Sequence, residues 1–476
     1  LTAAAVFVAG CDPAWASYGI YVGKNQTVDG SVFLAGYGDE PSSHWLEIVP
    51  AREWPEGSTI KVGATATSRF PGTLIEIPQA RSTAKYITMN YSYFAGFPAP
   101  ITNGGLNQHL VAARDIWSPS RKELQAMTPN PQRGVNYSNL SRIVMERART
   151  AREAVEIVGE LVNKYGYATY GGNSHLFADA DEGWVLIEFA GGQGLWVAQR
   201  LGPDDIRVSR PGYIGEIPLD YQKNPGFSGS PNLISFAVRQ GWYDPKSGAP
   251  FNVNTVYGDG KMRHEAVAMM EDRLRKLGGK IRIEDVIAAV RTTEVTRDSA
   301  GYGQVAHLRK MPNAALGVLW VAAATPVTAP FVPFRLGASD VPPEFKRHRY
   351  LTAGEAERGM DKAWQGIEST LYAFQSFKRL FYLASEHQDK FLPEITASLT
   401  SFEAGLIAAQ AAVERTALKL YEAGEPDLAG AYLTYYSNTE AMNGLRLAEA
   451  LSVSIDARTK VQFGIRQPES SRVSGE

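Results

Sequence analysis

The hydrophobic pattern of this chain changes its period at about Pro343, and that change limits the fold more than any other feature. Before it, short β-rich runs of period two alternate with amphipathic stretches of helical period. After it, Gly354 to Glu386, Pro393 to Ala423 and Pro426 to Leu451 each hold helical periodicity for several turns. The order of strands, helices, strands, helices and a final helical block reads as an α+β sheet-and-helix domain over 17–342 with a helical C-terminal region over 343–476. At 44% hydrophobic residues and a formal net charge of -2, the chain can fill a large core and carries no charge excess suited to nucleic acid.

Within the first part, "YGIYVG" and "SVFLAGY" flank the turn "TVDG" and predict a β-hairpin that begins on a buried strand. "LIEIP", "KYITMNYSYF" and "TNGGLNQHLVAA" add strands. The first clear helices are "YSNLSRIVMERA" and "TAREAVEIVGELVNKYG", the second with Thr150 and Glu153 in capping-box spacing and Gly166 as its stop. "GKMRHEAVAMMEDRLRKLGG" and "RIEDVIAAVRT" continue the helical set.

Most familiar chemical signatures are missing. The lone Cys11 excludes an internal disulfide framework and a CxxC pair. "RHEAV" at His264 lacks the second histidine of a zinc helix, and no G-x-S-x-G elbow is present. "SGS" at Ser228 to Ser230 reads as a loop, "AGGQGLW" lacks the residues of a phosphate loop, and "DADEG" is short for a calcium loop and reads as a hairpin turn. No metal or organic cofactor is implied.

The start of the chain is where chemistry concentrates. "LTAAAVFVAG" is an apolar run too short to span a membrane, and Ala14-Trp15-Ala16 fits a signal-peptidase site, so residues 1–16 read as a leader and the protein as exported. A cut after Ala16 gives Ser17 a free α-amine with a pKa near ~8, a base for its own hydroxyl. Asp39, at the end of the second hairpin strand, is placed to orient that amine. "FVAGC" also fits a lipobox, which would acylate Cys11 and tether the protein to a membrane.

The run "SYGIYVGKNQTVDGSVFLAGYGDE" resembles the opening of the C69 dipeptidases, a family of N-terminal nucleophile hydrolases in which a cysteine begins C-x-x-x-x-V-G-K-x-x-x-x-D-G-S. The resemblance continues in "GGLNQHLVAA", "ARTAREAVEIVGELVNKYG", "GGNSHLFADADEGWVLIEFAGG", "YIGEI", "LGVLWVAAATPVTAPFVPF" and "AYLTYYS". It implies a four-layer αββα sandwich with a helical extension, and hydrolysis of dipeptides or small amides through an acyl-enzyme. Two departures stand out. The family's nucleophilic cysteine falls at Ser17, as a deliberate cysteine replacement would also read, and the arginine that many relatives carry on the return strand is Gly36. The resemblance offers Arg210, Asn173 and Asn107 as oxyanion donors, with Arg210 the candidate to replace the missing guanidinium. Tyr18, Tyr37 and Gly36 are the candidate substrate contacts, with Trp45 nearby. An N-acyl amide hydrolase and a non-catalytic binding lipoprotein of the same fold are the competing readings, and a homo-oligomer is left open.

Overall fold

The computed structural model describes residues 17–39, 44–92, 96–261, 265–346 and 371–464. The leader with Cys11, His264, residues 354–370 of the first C-terminal helical segment and the tail from Arg466 lie outside the described residues.

In chain order, the strands of the two large sheets are β1 (Tyr18–Val22), β2 (Val32–Gly38), β3 (His44–Val49), β4 (Tyr86–Tyr91), β5 (Ile101–Asn107), β6 (Ala112–Ile116) and β7 (Asn173–Ala178). They continue with β8 (Gly183–Glu188), β9 (Trp196–Leu201), β10 (Ile206–Ser209), β11 (Phe227–Gly229), β12 (Tyr302–Leu308), β13 (Val318–Ala322) and β14 (Val332–Arg335). The first sheet runs β10-β1-β2-β12-β13-β14 and the second β11-β9-β8-β7-β6-β5-β4-β3, with every pairing antiparallel. The expected hairpin is the centre of the first sheet.

The helices that matter here are α1 (Tyr137–Arg147), α2 (Ala151–Tyr165), α3 (Glu265–Arg275), α4 (Ile283–Arg291), α5 (Ala373–Ser385), α6 (Gln388–Glu422) and α7 (Pro426–Phe463). α1 and α2 cover the outer face of the second sheet, α3 and α4 cover the outer face of the first, and β1 and β2 meet β6 and β7 between them. The layers are therefore helix, sheet, sheet, helix, the αββα order that the resemblance implies. β1 shows why a buried strand must start the domain. Gly19 and Tyr21 face the second sheet, where a Cβ on Gly19 would stand 2.8 Å from Ile116 and the Tyr21 ring lies against Gly183. Tyr18, on the other face, donates its hydroxyl to the Ala289 carbonyl of α4 at 2.9 Å.

Local signals set the helix ends. Thr150 caps α2 by accepting the Glu153 N–H at 3.0 Å, a contact of about 1 kcal/mol in such positions. The Glu153 carboxylate takes the Arg149 N–H and not that of Thr150, so the reciprocal half of the expected box is shifted by one residue. "DADEG" forms the turn between β7 and β8, and Asp179 accepts the N–H groups of Asp181 and Glu182 while also capping α2 through Ala151.

The C-terminal helices differ from the periodicity in their limits. α6 begins at Gln388, ahead of Pro393, because Phe391 is fully buried and extends the packed face. α7 runs past Leu451 to Phe463, since Ile455 continues its buried stripe between Ser452 and Thr459, two polar residues that a search for apolar periodicity passes over. α6 and α7 pack beside the edge strand β14. A buried ion pair ties α6 to the sandwich: Arg291 at the end of α4 donates from both Nη atoms to Glu403 of α6, with Nη1 to Oε2 at 2.8 Å. Glu403 also accepts the Phe331 N–H at 2.7 Å, and both side chains are nearly closed to solvent. Among the described residues no helix is long and apolar enough to cross a membrane.

Candidate active site

The β1/β2 register pairs Tyr18 with Tyr37 and Gly19 with Gly36, which sets Ser17, just before β1, opposite Gly38 and next to Asp39. Ser17 is 7% exposed, and its Oγ accepts the Asp39 backbone N–H at 3.0 Å. This contact uses an oxygen lone pair and leaves the hydroxyl proton for a base. The Asp39 carboxylate accepts the hydroxyl of Ser299, from the segment that leads into β12. Asp298, next in the chain, accepts the Tyr382 hydroxyl of α5 at 3.1 Å. A hairpin, a loop and a C-terminal helix thus converge on one serine.

Gly36 explains how the site does without an arginine on β2. Its φ is +147°, and a Cβ built there would stand 2.1 Å from the Tyr18 carbonyl oxygen, so no side chain fits. The same Cβ would stand 2.9 Å from Nε of Arg114. Arg114 projects from β6 across the sandwich, fully buried, and occupies the space beside residue 36 from the opposite sheet. Its Nε donates to the Tyr18 carbonyl at 3.2 Å and its Nη1 to the Tyr302 hydroxyl at 2.8 Å. The guanidinium therefore holds the backbone one residue from Ser17.

Arg210 is the position that the sequence offers as the replacement. Its backbone does reach the hairpin, because β10 pairs with β1 at Ser209 and Gly19. Its side chain turns to the helix-covered face, where Nη1 donates to the Val295 carbonyl at 3.2 Å and to the Tyr37 hydroxyl at 3.4 Å. Tyr37 donates to the same carbonyl at 2.7 Å and meets the Tyr18 ring edge-on at 4.6 Å. Burial, with the Asp39 charge added for Tyr37, pushes both phenols well above their ordinary range. Both rings pack on the face of the hairpin that α4 covers, opposite the face of Gly19 and Gly36, which corrects their expected place as substrate contacts. Trp45 lies in β3, at the edge of the second sheet.

The two asparagines are not brought to Ser17. Asn107 ends β5, roughly 10 Å along the strand from the Gly104 that pairs with Arg114. Its Nδ2 donates to the carbonyls of Met145 and Ala148, and its Oδ1 accepts the N–H groups of His109 and Val111. Both donors are consumed at the end of α1, and the oxygen holds the turn after β5. Asn173 donates to Asp115 at 3.3 Å and accepts the Tyr170 hydroxyl at 3.2 Å. It shares its face of β7 with His175 and Phe177, the face packed against α1 and α2. His175 there bonds Glu188 at 2.6 Å in full burial. Burial alone would depress the imidazole, but the Glu188 charge and hydrogen bond outweigh it and raise its pKa. No group of metal-ligating side chains occurs among the described residues.

The profile of peptidase family C69 matches residues 16–269. The chain belongs to this family. Among its relatives, a protein named probable dipeptidase from Latilactobacillus sakei is 22% identical over 368 residues, which is 67% of this chain and 74% of the relative. A probable dipeptidase from Salmonella dublin is 31% identical over 125 residues, 26% of this chain and 27% of that one. Probable dipeptidase B of Streptococcus pyogenes serotype M1 is 26% identical over 216 residues, 44% of this chain and 40% of its own length. Among solved structures, a mutant of a conjugated bile acid hydrolase from Clostridium perfringens aligns at 13% identity and a TM-score of 0.31, over 67% of this chain and 92% of that one.

As a C69 peptidase, the chain is an enzyme of peptide and amide hydrolysis. Ser17 lies inside the matched span and α5 to α7 lie beyond it. Sequence reasoning passed over Arg114, Ser299 and Asp298. Only Arg114 left a local trace: it is a charged residue at the inward-facing position of "AARDI", between Ala112 and Ile116, which both belong to the core.

Proposed function

We propose that the protein is a dipeptidase, acting on dipeptides or short peptide-like amides through Ser17 as an N-terminal nucleophile. The observation that carries the reading is the seating of Ser17 Oγ on the Asp39 N–H at the mouth of the buried hairpin, within the span shared with C69 peptidases. While residues 1–16 are attached, the Ser17 nitrogen is a peptide nitrogen and cannot act as a base. Cleavage after Ala16 during export turns it into an amine beside the Asp39 carboxylate. The amine takes the Oγ proton as Oγ attacks the substrate carbonyl, and it returns that proton to the leaving nitrogen as the amide C–N bond breaks. Water, deprotonated by the same amine, then attacks the ester and frees Ser17. Asp39, braced by Ser299, orients the ammonium, and Arg114 and Arg210 supply fixed positive charge around the hairpin.

The test is intact mass and N-terminal sequencing of protein expressed with its leader in an export-competent host, followed by assays on dipeptides and N-acyl amides. The expected result is a chain that starts at Ser17, cleaves dipeptides in preference to N-acyl amides and loses at least about 10³-fold activity as Ser17→Ala. A chain that starts at an acylated Cys11 and hydrolyses neither substrate would overturn the reading in favour of a binding lipoprotein. Activity confined to N-acyl amides would move the substrate class.

A further inference from the structure

Phe374, Lys378 and Tyr382 recur every four residues and form one stripe on α5. The stripe is anchored at both ends. At one end, the Phe374 ring stacks on His44 at 5.4 Å, and His44 packs against Tyr302, the tyrosine that accepts from Arg114. At the other, Tyr382 donates to Asp298, whose neighbour Ser299 donates to Asp39, whose N–H in turn holds Ser17 Oγ. Lys378 sits between these anchors and over the Phe374 ring, 5.6 Å from its centroid.

Its ammonium is unusual in this setting. It is half-buried, and among the described residues no carboxylate closes an ion pair with it. Desolvation pulls its pKa down to about 8, against the opposing fields of Asp298 and Asp39. Those two carboxylates are engaged by Tyr382 and Ser299. A desolvated cation without its own anion is the arrangement that an anionic ligand completes.

The geometry of amide hydrolysis supplies that anion. In a dipeptide, the free α-carboxylate carbon lies only about 4 Å from the scissile carbonyl carbon, across one nitrogen and one Cα. In a longer or amidated substrate, that place holds a neutral amide. We propose that Lys378 binds the free carboxylate of the leaving residue and so makes the enzyme selective for a scissile amide followed by a single, free-acid residue. This rests on the reading of Ser17 as the nucleophile and adds a specificity residue from a helix that lies outside residues 16–269.

The experiment compares a dipeptide with the same dipeptide amidated at its carboxy terminus, using the mature protein. The unsubstituted enzyme is expected to favour the free acid by about tenfold or more in kcat/KM, as a charge-assisted contact gives. Lys378→Met is expected to abolish that preference by raising KM for the free acid about tenfold or more, and Lys378→Arg to keep most of it. A preference that survives Lys378→Met unchanged, or is absent from the unsubstituted enzyme, overturns the proposal. Equilibrium binding of the free-acid dipeptide to Ser17→Ala protein separates the two readings. Lys378-dependent binding, together with hydrolytic activity that Ser17→Ala leaves intact, sinks the nucleophile and keeps the carboxylate site, whereas binding indifferent to Lys378→Met sinks the carboxylate site.

Discussion

Replacing Arg114 by methionine keeps the length of the side chain and removes its charge, and the consequence for catalysis can be worked from the structure. Nε lies 3.2 Å from the Tyr18 carbonyl, and two extended residues, Ser17 and Tyr18 themselves, separate that carbonyl from the Ser17 nitrogen. The guanidinium is therefore about 8–10 Å from the α-amine of the mature enzyme. At an effective dielectric of about 20, a unit charge at that distance disfavours the ammonium by about 1.7–2.1 kcal/mol, and ionic screening at the site mouth trims the effect to about one pH unit. In the proposed mechanism the amine must be neutral to act as base, so its pKa sets the acidic limb of the kcat/KM profile. Removing the cation raises that pKa, so the limb of Arg114→Met is expected about one unit higher than that of the unsubstituted enzyme. Arg114→Lys, which keeps the charge and loses the forked contacts, should leave the limb in place and lower kcat. Methionine also leaves the Tyr18 carbonyl and the Tyr302 hydroxyl without this donor, at about 1–3 kcal/mol each, so rates must be normalised to titrated active sites. A limb that stays put in Arg114→Met, with all the lost rate accounted for by lost active sites, would refute the argument and reduce Arg114 to a packing element.

Two further expectations concern the frame that holds the site. Glu403→Leu leaves the buried Arg291 guanidinium and the Phe331 N–H without their acceptor and should cost about 3–5 kcal/mol, whereas Arg291→Met combined with Glu403→Leu should cost far less than the two single changes together. Urea titration of the four proteins checks this, and additive losses would contradict it. His175 has a folded-state pKa above its unfolded value, so its contribution to stability is full below about pH 6.5 and falls as pH rises through the folded value. The urea midpoint should therefore decline as pH rises above about 6.5 in the parent, and that decline should vanish in His175→Gln. A midpoint with the same pH dependence in both proteins would show that the pair contributes no such term.

The parts of the site that could be read from the sequence are those set by local rules. Ser17 and Asp39 meet because a short turn and period-two strands fix the register of one hairpin, and each step of that inference spans only a few residues. Thr150 and Gly166 bound α2 for the same reason. Parity along a strand was also legible and puts Asn173 on one face with Phe177 and the helix-facing core. Asn107 failed differently: an asparagine at a strand end serves a turn as readily as it serves an oxyanion, and only its saturated amide distinguishes the two. Arg114 reaches the Tyr18 carbonyl across the sandwich, Ser299 reaches Asp39 from a loop, and Tyr382 reaches Asp298 from a helix hundreds of positions from the hairpin in sequence. No periodicity or spacing encodes such encounters, because they depend on which sheet faces stack and where a long helix comes to rest.

Gly36 and Arg114 form a lock with two tumblers. Residue 36 admits no Cβ while the Tyr18 carbonyl lies 2.1 Å from where one would stand, and that carbonyl is held in place by Arg114. A chain given an arginine at residue 36 would first have to move the Tyr18 peptide. A chain that lost Arg114 would have no room to recover the charge on β2 by a second single change. Passage between this arrangement and one with an arginine at residue 36 therefore runs through a sequence with both guanidiniums or with neither, and both intermediates are handicapped. The two positions should be inherited together, and an engineer who grafts either one alone onto a relative should expect a damaged enzyme.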